Sequence, residues 1–440
     1  MPPPPFSDRR LHFIGIGGAG MSGLALVCAQ LGAQVTGSDR ADSSYTARLR
    51  AAGIQPAIGH HPANLPSGAE VVVSTAIGED NPELVAARDA GRPVIHRGRL
   101  LGDVSALKHS IAVAGTHGKT TTCGMIAHVL SECGREPAFL IGGELRSRQT
   151  NAAWGEGKWI VVEADESDRS FLELEREVAV VTNVELDHHH TYASLAELRA
   201  AFDEFVAPSR VRIAGPGAQI AGALTYGLGE GDLSAEDIEL RPLGARFTVA
   251  GVHVELSVPG RHNVANALAA LAACREAGVA LEEAAPALAG HTGTGRRFEE
   301  HGATASGARV FDDYAHHPTE VRATLDAART LGPRRLVACF QPHLYSRTRE
   351  LARGFGRALA IADVVVVLDV YPARERHEDF PGVSGLLVAQ AAADAVAGRR
   401  VMWTPTLADA AGRLDAELRE GDVLLTLGAG DVDDLARELT

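Results

Sequence analysis

The run Gly115-Thr116-His117-Gly118-Lys119-Thr120-Thr121-Thr122 holds the most chemistry in the shortest space. Its glycines let backbone N–H groups close around phosphate oxygens, Lys119 offers a cation to β and γ phosphates, and the Thr120 hydroxyl can reach a magnesium ion. The spacing is shorter than in the standard phosphate loop, which needs glycine where Val113 stands. A chance strand-turn-helix is the bland alternative. Downstream, Glu163-Ala164-Asp165-Glu166-Ser167-Asp168 follows an apolar run. Carboxylates gathered there are hard oxygen ligands suited to magnesium beside a nucleotide, and a solvated acidic turn is the other reading. Its expected partner is the segment Thr182-Asn183-Val184-Glu185-Leu186-Asp187-His188-His189-His190. Three adjacent histidines cannot all face one ion, so most belong behind the ligands or at the surface. Zinc is disfavoured, because no second His or Cys set stands at the usual spacing and phosphates favour magnesium.

A second glycine run, Gly15-Ile16-Gly17-Gly18-Ala19-Gly20, precedes the helix-like stretch from Met21 through Ser22 to Leu31. Such a loop brings backbone N–H groups and a helix N-terminus onto a diphosphate. Asp39, at the end of the next apolar run, can hydrogen-bond a ribose hydroxyl. A dinucleotide, another diphosphate and a purely structural turn all stay open, and with the first of these an NAD-dependent oxidoreductase.

Further along, Arg261-His262-Asn263-Val264-Ala265-Asn266 opens a helix where polar side chains either meet a nucleotide base or merely cap the helix. Three more polar sets follow: Gly295-Arg296-Arg297-Phe298-Glu299, Asp312-Asp313-Tyr314-Ala315-His316-His317-Pro318, and Gln341-Pro342-His343-Leu344-Tyr345-Ser346-Arg347-Thr348. Arginines in such places capture a carboxylate. Taken singly, each set also reads as a surface loop.

These sets have to be held by something, and the apolar runs before them supply it. His12 to Gly17, Gln34 to Asp39, Val71 to Ala76 and Val94 to His96 read as strands, separated by helix-length segments. A second series has Ile111 to Gly115, Trp159 to Asp165 and Val178 to Asn183; a third has Val310 to Tyr314, Leu336 to Gln341, Val364 to Val370 and Val423 to Gly428. Alternation of strand and helix means βαβ units, mostly parallel sheets, and ligands at the carboxyl ends of strands. Between about Val211 and Pro259 the pattern changes to alternating strands, with a hairpin around Gly251 as an antiparallel edge. The expectation is an α/β chain of three domains, 1–106, 107–294 and 295–440.

The totals agree with that. A chain of 440 residues, 45% hydrophobic and 22% charged, exceeds one core and suits two or three. The formal net charge of −14 argues against nucleic acid as a partner, since a phosphate backbone is held by clustered Lys and Arg. No stretch approaches the roughly 18 to 20 apolar residues of a membrane span, and Pro2 to Pro5 lack the features of a signal peptide. Cys28, Cys123, Cys133, Cys274 and Cys339 form no CxxC pair and read as buried thiols of a cytoplasmic protein.

In combination and order, the segments Gly15 to Gly23, Gly115 to Thr122, Glu163 to Asp168, Arg261 to Asn266, Asp312 to Glu320 and Phe340 to Thr348 resemble the Mur ligases over nearly the whole chain. The resemblance implies an N-terminal Rossmann-like UDP-binding domain, a central P-loop-type ATPase domain and a C-terminal Rossmann-like domain. It also implies ATP-dependent amide formation, through an acyl phosphate, between UDP-N-acetylmuramate and L-alanine, with a tripeptide acceptor as the nearest alternative.

On the same resemblance the first glycine loop takes a UDP diphosphate rather than NAD, through Gly15, Gly17, Gly18, Ala19, Gly20, Met21 and Ser22. Asp39, His60, Ser74 and Arg97 then lie near the uridine and sugar. Gly115, Thr116, Gly118, Lys119, Thr120 and Thr121 match ATP-binding positions, as do His262, Asn266, Arg297 and Asp313. Thr120, Glu163 and His188 match magnesium positions, Lys119 and His188 are the catalytic candidates, and Tyr314, His343 and Arg347 match the amino-acid site. Two departures stand out. Leu195 to Ala207 holds no lysine for the modified, metal-bridging side chain of several relatives, and Leu344 stands where an arginine is expected. A nonenzymatic nucleotide-binding regulator is the reading in which these metal-binding positions have no task.

Overall fold

Short β-branched runs bounded by glycine and polar residues become strands, and in the computed structural model, which describes residues 3–188 and 191–440, they assemble into parallel sheets. His189 and His190 lie outside the described residues. The chain divides into two compact units, residues 1–234 with 266–287, and residues 235–265 with 288–440.

The first unit holds two sheets. One has the strand order Ala57–Ile58, Gln34–Asp39, Arg10–Ile14, Glu70–Val73, Val94–His96, all parallel. The order reverses direction at Arg10–Ile14, which places a crevice beside the first glycine loop. The other sheet has His109–Ala114 between Val178–Val181 and Trp159–Glu163. It extends through Val211–Ala214 to Leu224–Leu228 on one side and through Ala138–Leu145 to the antiparallel edge strand Thr150–Ala153 on the other. One apolar cluster runs from Leu11, Phe13 and Leu24 through Ala112 and Val162 to Phe202 and Phe205, so the two sheets share a core. Non-directional burial of that kind is what joins two sequence-distinct series into one unit.

In the second unit the strand order is Glu299–Ala303, Arg309–Asp313, Val423–Leu427, Leu336–Phe340, Val364–Val367, Arg400–Trp403, parallel except for the first. Successive residues enter opposite cores: Val337 and Cys339 pack on one face, Leu336, Ala338 and Phe340 on the other. Both faces are buried, which is why these strands read as unbroken apolar runs.

Most strands end earlier than the apolar pattern suggests, and for two of them a local reason is visible. Arg10–Ile14 stops before Gly15, whose φ of +78° leaves the β region. Trp159–Glu163 stops because the Asp165 side chain accepts the Ser167 N–H and starts a short 3-10 turn, Glu166–Asp168. The expectation for 211–259 needs a correction. Val211–Ala214 and Leu224–Leu228 continue the parallel sheet; only Leu233–Arg241, Gly244–Val249 and Val252–Leu256 form an antiparallel meander. The expected turn is there, with Ala250 and Gly251 both at positive φ, as a two-residue hairpin loop requires.

Candidate functional site

The second glycine loop leaves the carboxyl end of His109–Ala114 and enters the helix Lys119–Glu132. Gly118 is the N-cap in the left-handed region, φ +81°, and a Cβ there would stand 2.4 Å from Asn266 Oδ1. At Gly115 (φ +127°) a Cβ would meet Thr182 Oγ1 at 2.1 Å. The loop is therefore closed against the neighbouring strand end, and glycine is required at both places. Further bonds fix it: Thr182 Oγ1 donates to His117 O (2.6 Å), His117 N donates to Asn183 Oδ1 (2.9 Å), and Thr116 Oγ1 donates to Glu185 O (2.9 Å).

Lys119 begins the helix and folds back into the loop. Its Nζ donates to Gly115 O (2.7 Å) and to both carboxylate oxygens of Glu166 (3.1 and 2.9 Å). Glu166 is buried, and Tyr192 Oη donates to its backbone carbonyl at 2.8 Å. Burial works against the Lys119 charge, but Glu166 and Asp165 outweigh it and keep the ammonium protonated. Beside it Thr120 Oγ1 donates to Glu163 Oε1 (2.9 Å), whose Oε2 accepts Gly142 N–H (2.7 Å). His188, at φ +54°, sets Nε2 3.5 Å from Glu166 Oε1 and 3.8 Å from Asp187 Oδ2. Cation, hydroxyl, carboxylates and imidazole thus converge at adjacent strand ends. An oxygen-rich donor set around Thr120 and Glu163 fits a hard divalent cation.

In the first sheet, every residue singled out lies at or just beyond a strand's carboxyl end. Gly15 N and Ile16 N donate to Ser38 O, and Gly17 N donates to Asp39 Oδ2 at 2.8 Å. The helix Ala19–Gln30 starts from Gly18 with no side-chain cap, leaving the N–H groups of Ala19, Gly20 and Met21 at its positive end. Ser22 N is already bonded to Gly18 O. Ser74 follows Glu70–Val73, and His60 follows Ala57–Ile58 with Nδ1 3.0 Å from Ser38 Oγ. Arg97, the first residue of the helix Arg97–Ser105, lies beside Gly20, where a Cβ would stand 2.9 Å from Nη1.

Glu83 ties the strand ends together from behind. It is fully buried, accepting from Ser38 Oγ (2.6 Å), His61 N (3.0 Å) and Asn64 Nδ2 (2.8 Å) and pairing with His12 Nε2 (2.9 Å). Burial alone would raise its pKa, yet the bonds from His12, Ser38, Asn64 and His61 bring it down to about 2. Glu83, Asp165 and Glu166 are the groups that the site residues drawn from the sequence leave out. The acidic run flagged two of them; nothing in the sequence distinguishes Glu83 from other helix-surface glutamates.

In the second unit, Asp313 ends a strand and accepts from Phe298 N and Ala315 N, both at 2.8 Å. The Arg297 guanidinium lies 5.2 Å from the Tyr314 ring centroid. His343 Nδ1 is 3.2 Å from Arg347 Nη1, and its ring stacks on Tyr371 at 5.8 Å. His262 stands in the first turn of the helix Arg261–Glu276, its ring against Gly260. Leu344 is buried at φ +70°, capping the helix Tyr345–Leu359.

Three family models match in succession: Mur ligase family, catalytic domain, over residues 10–109; Mur ligase middle domain over 113–274; and Mur ligase, glutamate ligase domain, over 296–430. A UDP-N-acetylmuramate–L-alanine ligase of Streptomyces coelicolor is 47% identical, the alignment covering 98% of this chain and 97% of the relative. The chain belongs to the Mur ligase family. Among solved structures it is similar to the UDP-N-acetylmuramate-alanine ligase MurC of Thermotoga maritima, with a TM-score of 0.85, 31% identity and 98% of each chain covered. It is less similar to a murein peptide ligase of Psychrobacter arcticus, with a TM-score of 0.73, 26% identity and 98% of each chain covered. The three-part α/β architecture expected of a Mur ligase is present.

Proposed function

We propose that this chain joins L-alanine to the carboxylate of UDP-N-acetylmuramate at the expense of ATP. The observation that carries the reading is the convergence of Lys119, Thr120, Glu163, Glu166 and His188 at adjacent strand ends. In this reading residues 1–106 bind the UDP-sugar, 107–294 the nucleotide and 295–440 the amino acid. The loop Gly15–Gly20 with Met21 and Ser22 cradles the diphosphate, and Asp39, His60, Ser74 and Arg97 serve the uridine and sugar. Gly115 to Thr121 hold the ATP phosphates, with His262, Asn266, Arg297 and Asp313 as further ATP contacts and Tyr314, His343 and Arg347 as the amino-acid set.

The carboxylate oxygen attacks the γ-phosphorus, the bond to the β,γ-bridging oxygen breaks, and ADP leaves an acyl phosphate. Lys119 exchanges Glu166 for the transferring phosphoryl group, whose charge it offsets without reorganising the loop. Thr120, Glu163 and His188 are the residues that would hold a magnesium ion, which would supply further charge neutralisation there. The neutral amine of L-alanine then attacks the acyl carbon, its nitrogen gives up a proton that ends on the departing phosphate or in solvent, and the tetrahedral intermediate collapses to the amide as the bond from carbon to the phosphate oxygen breaks.

The greater likeness to the alanine ligase than to the murein peptide ligase supports L-alanine over a tripeptide. No described helix is long and apolar enough to cross a membrane, and all five cysteines are unpaired, as a reducing cytosol leaves them. The test is phosphate release from ATP, magnesium, UDP-N-acetylmuramate and L-alanine, with each omitted in turn. Release that persists without the sugar nucleotide overturns the reading, and turnover with the tripeptide alone replaces L-alanine as acceptor.

A further inference from the structure

Arg296 and Arg297 are neighbours, and both guanidinium groups lie 5.2 Å from the centre of the Tyr314 ring, yet only Arg297 has a place in the proposed site. Arg296 is committed to the second unit's own framework. Its φ of +56° is one that a residue with a side chain seldom adopts, and Glu299 Oε2 holds it there by accepting its backbone N–H at 2.7 Å. From that position the planar guanidinium donates three ways: Nε to Asp312 Oδ2 (3.0 Å), Nη1 to Gly430 O (3.0 Å) and Nη2 to Gly428 O (2.8 Å). Asp312 is fully buried and also accepts Thr426 Oγ1 at 2.9 Å, so the anchor of the fork is fixed.

The two carbonyls belong to the turn that follows the strand Val423–Leu427. No side chain fits at Gly430, where a Cβ would stand 2.3 Å from Gln341 Oε1 and 2.6 Å from Tyr371 Cγ. The backbone of the turn is thus a wall against which the Tyr371 ring rests. That ring lies 12° from parallel with His343, and Tyr371 donates its N–H to Pro342 O (2.8 Å) and accepts Leu344 N–H (2.9 Å), on either side of His343. Tyr314 is reached directly, since its N–H is donated to Arg296 O at 2.8 Å. One residue therefore touches Tyr314 on one side and, through Gly430 and Tyr371, governs His343 and its neighbour Arg347 on the other.

We propose that Arg296 is a positioning residue for the amino-acid site: by clamping Gly428 O and Gly430 O to Asp312 it sets the spacing between Tyr314 and the His343–Arg347 pair. The inference rests on the proposed function. In that reading the acceptor is small, so its placement depends on how accurately the few side chains that meet it are held. Lysine cannot replace Arg296, because one ammonium does not make three bonds in a plane.

The test is steady-state phosphate release by the full chain with each substrate varied in turn. Arg296→Lys should raise KM for L-alanine by roughly 10-fold or more, while kcat at saturating L-alanine and KM for ATP and UDP-N-acetylmuramate stay within about 3-fold. Arg296→Met combined with Asp312→Asn, which leaves no buried carboxylate without its cation, should show the same split. Gly430→Ala displaces the Tyr371 ring from the other side of the wall and keeps Arg296. It too should raise KM for L-alanine, and joining it to Arg296→Lys should add little, because both act through one contact. An unchanged KM for L-alanine in any of these variants overturns the proposal. So does an equal rise in KM for all three substrates, or a fall in kcat alone, either of which marks a general loss of structure. Wild-type phosphate release that does not depend on L-alanine overturns the proposed function instead.

Discussion

At Gly15–Gly20 a strand runs into a helix through backbone N–H groups alone, whereas at Gly115–Lys119 a similar turn also delivers a cation and a hydroxyl. The first loop borrows its positive side chain, Arg97, from a helix far along the chain, and the carboxylate nearest its backbone, Asp39, serves as a hydrogen-bond acceptor. The second carries Lys119 in its own first helical turn and holds it against a buried carboxylate. In the proposed function one geometry thus serves two purposes. N–H groups and a helix end suffice to hold a diphosphate that does not react, while a phosphoryl group in transfer needs charge aimed at it.

The largest way to separate the two is Lys119→Ala. Phosphate release should fall by roughly 1,000-fold, the order expected for loss of a preorganised charge at the reacting group. UDP-N-acetylmuramate affinity without nucleotide should stay within about 3-fold, since the first loop keeps all its own bonds. Parallel calorimetry and phosphate assays decide it, with a melting curve to check the fold, because Glu166 loses its buried partner. Equal loss of both ligands would show that the loops do not act separately.

Glu83 and Glu166 sharpen the same contrast, each being a buried carboxylate behind one of the loops. Glu166 faces Lys119, the cation proposed for phosphoryl transfer, whereas Glu83 faces groups that hold strand ends. Held at about 2 against an ordinary 4.5, Glu83 releases its proton more readily in the folded chain than in the unfolded one. Its contribution to stability is therefore full above about pH 4.5 and is lost as pH falls toward 2. Glu83→Gln should lower stability at pH 7 by about 2 to 3 kcal/mol. It should also flatten the loss of stability between pH 4.5 and 2, read from urea midpoints, with nucleotide affinity unaltered. A variant as steep as the wild-type protein in that range would remove Glu83 from the account.

Much of this was legible in the sequence. Apolar runs placed the strands and the polar residues after them gave the candidate site, because in a parallel sheet the strand end is both where β structure stops and where a ligand can fit. Gln34–Asp39 and Val94–His96 have the bounds that the pattern suggested. What stayed hidden was which polar residue faces which. The acidic run marks Glu163 to Asp168 as a group, but only folding shows Glu163 on Thr120, Glu166 on Lys119 and Asp165 on Arg97. Glu83 lies in the helix Pro82–Asp89, where no periodicity tells a buried acid from a solvated one. The edge strand Thr150–Ala153 is short and polar, with Asn151 donating to Ala19 O, so composition gave no strand signal.

Glycine to alanine substitutions compare the loops at smaller scale. Gly18 has φ −68°, and the nearest atom to a Cβ there is 3.5 Å away. Gly118 is left-handed, and its Cβ would press on Asn266 at 2.4 Å. Gly118→Ala should cost about 1 to 2 kcal/mol from the backbone conformation, before the clash is counted. Gly18→Ala should cost under about 0.5 kcal/mol. Thermal or urea unfolding of the two variants side by side decides it. Equal costs would mean that the loops are under the same backbone constraint.

The smallest effect is expected at Asp39, and it bears on why the first loop looked like a dinucleotide site. A carboxylate after the second strand reads a ribose when it is available to the ligand, but here Oδ2 is bonded to Gly17 N and Oδ1 lies 3.4 Å from Ala41 N. Its present task is to hold the backbone of the loop at Gly17. Asp39→Ala removes that acceptor, which is worth about 1 kcal/mol, and the same energy spent on reordering the loop weakens UDP-N-acetylmuramate binding by about 5-fold. Removing a negative charge near a diphosphate acts in the opposite direction, but exposure to solvent and salt screens that repulsion, so the loss of order should prevail. Titration of the variant with the sugar nucleotide measures the balance, and titration of the wild-type protein with NAD should show no binding. Tighter sugar-nucleotide binding by Asp39→Ala would mean that charge, not loop order, sets the affinity of the first loop, and the contrast with the second loop would then rest on Lys119 alone.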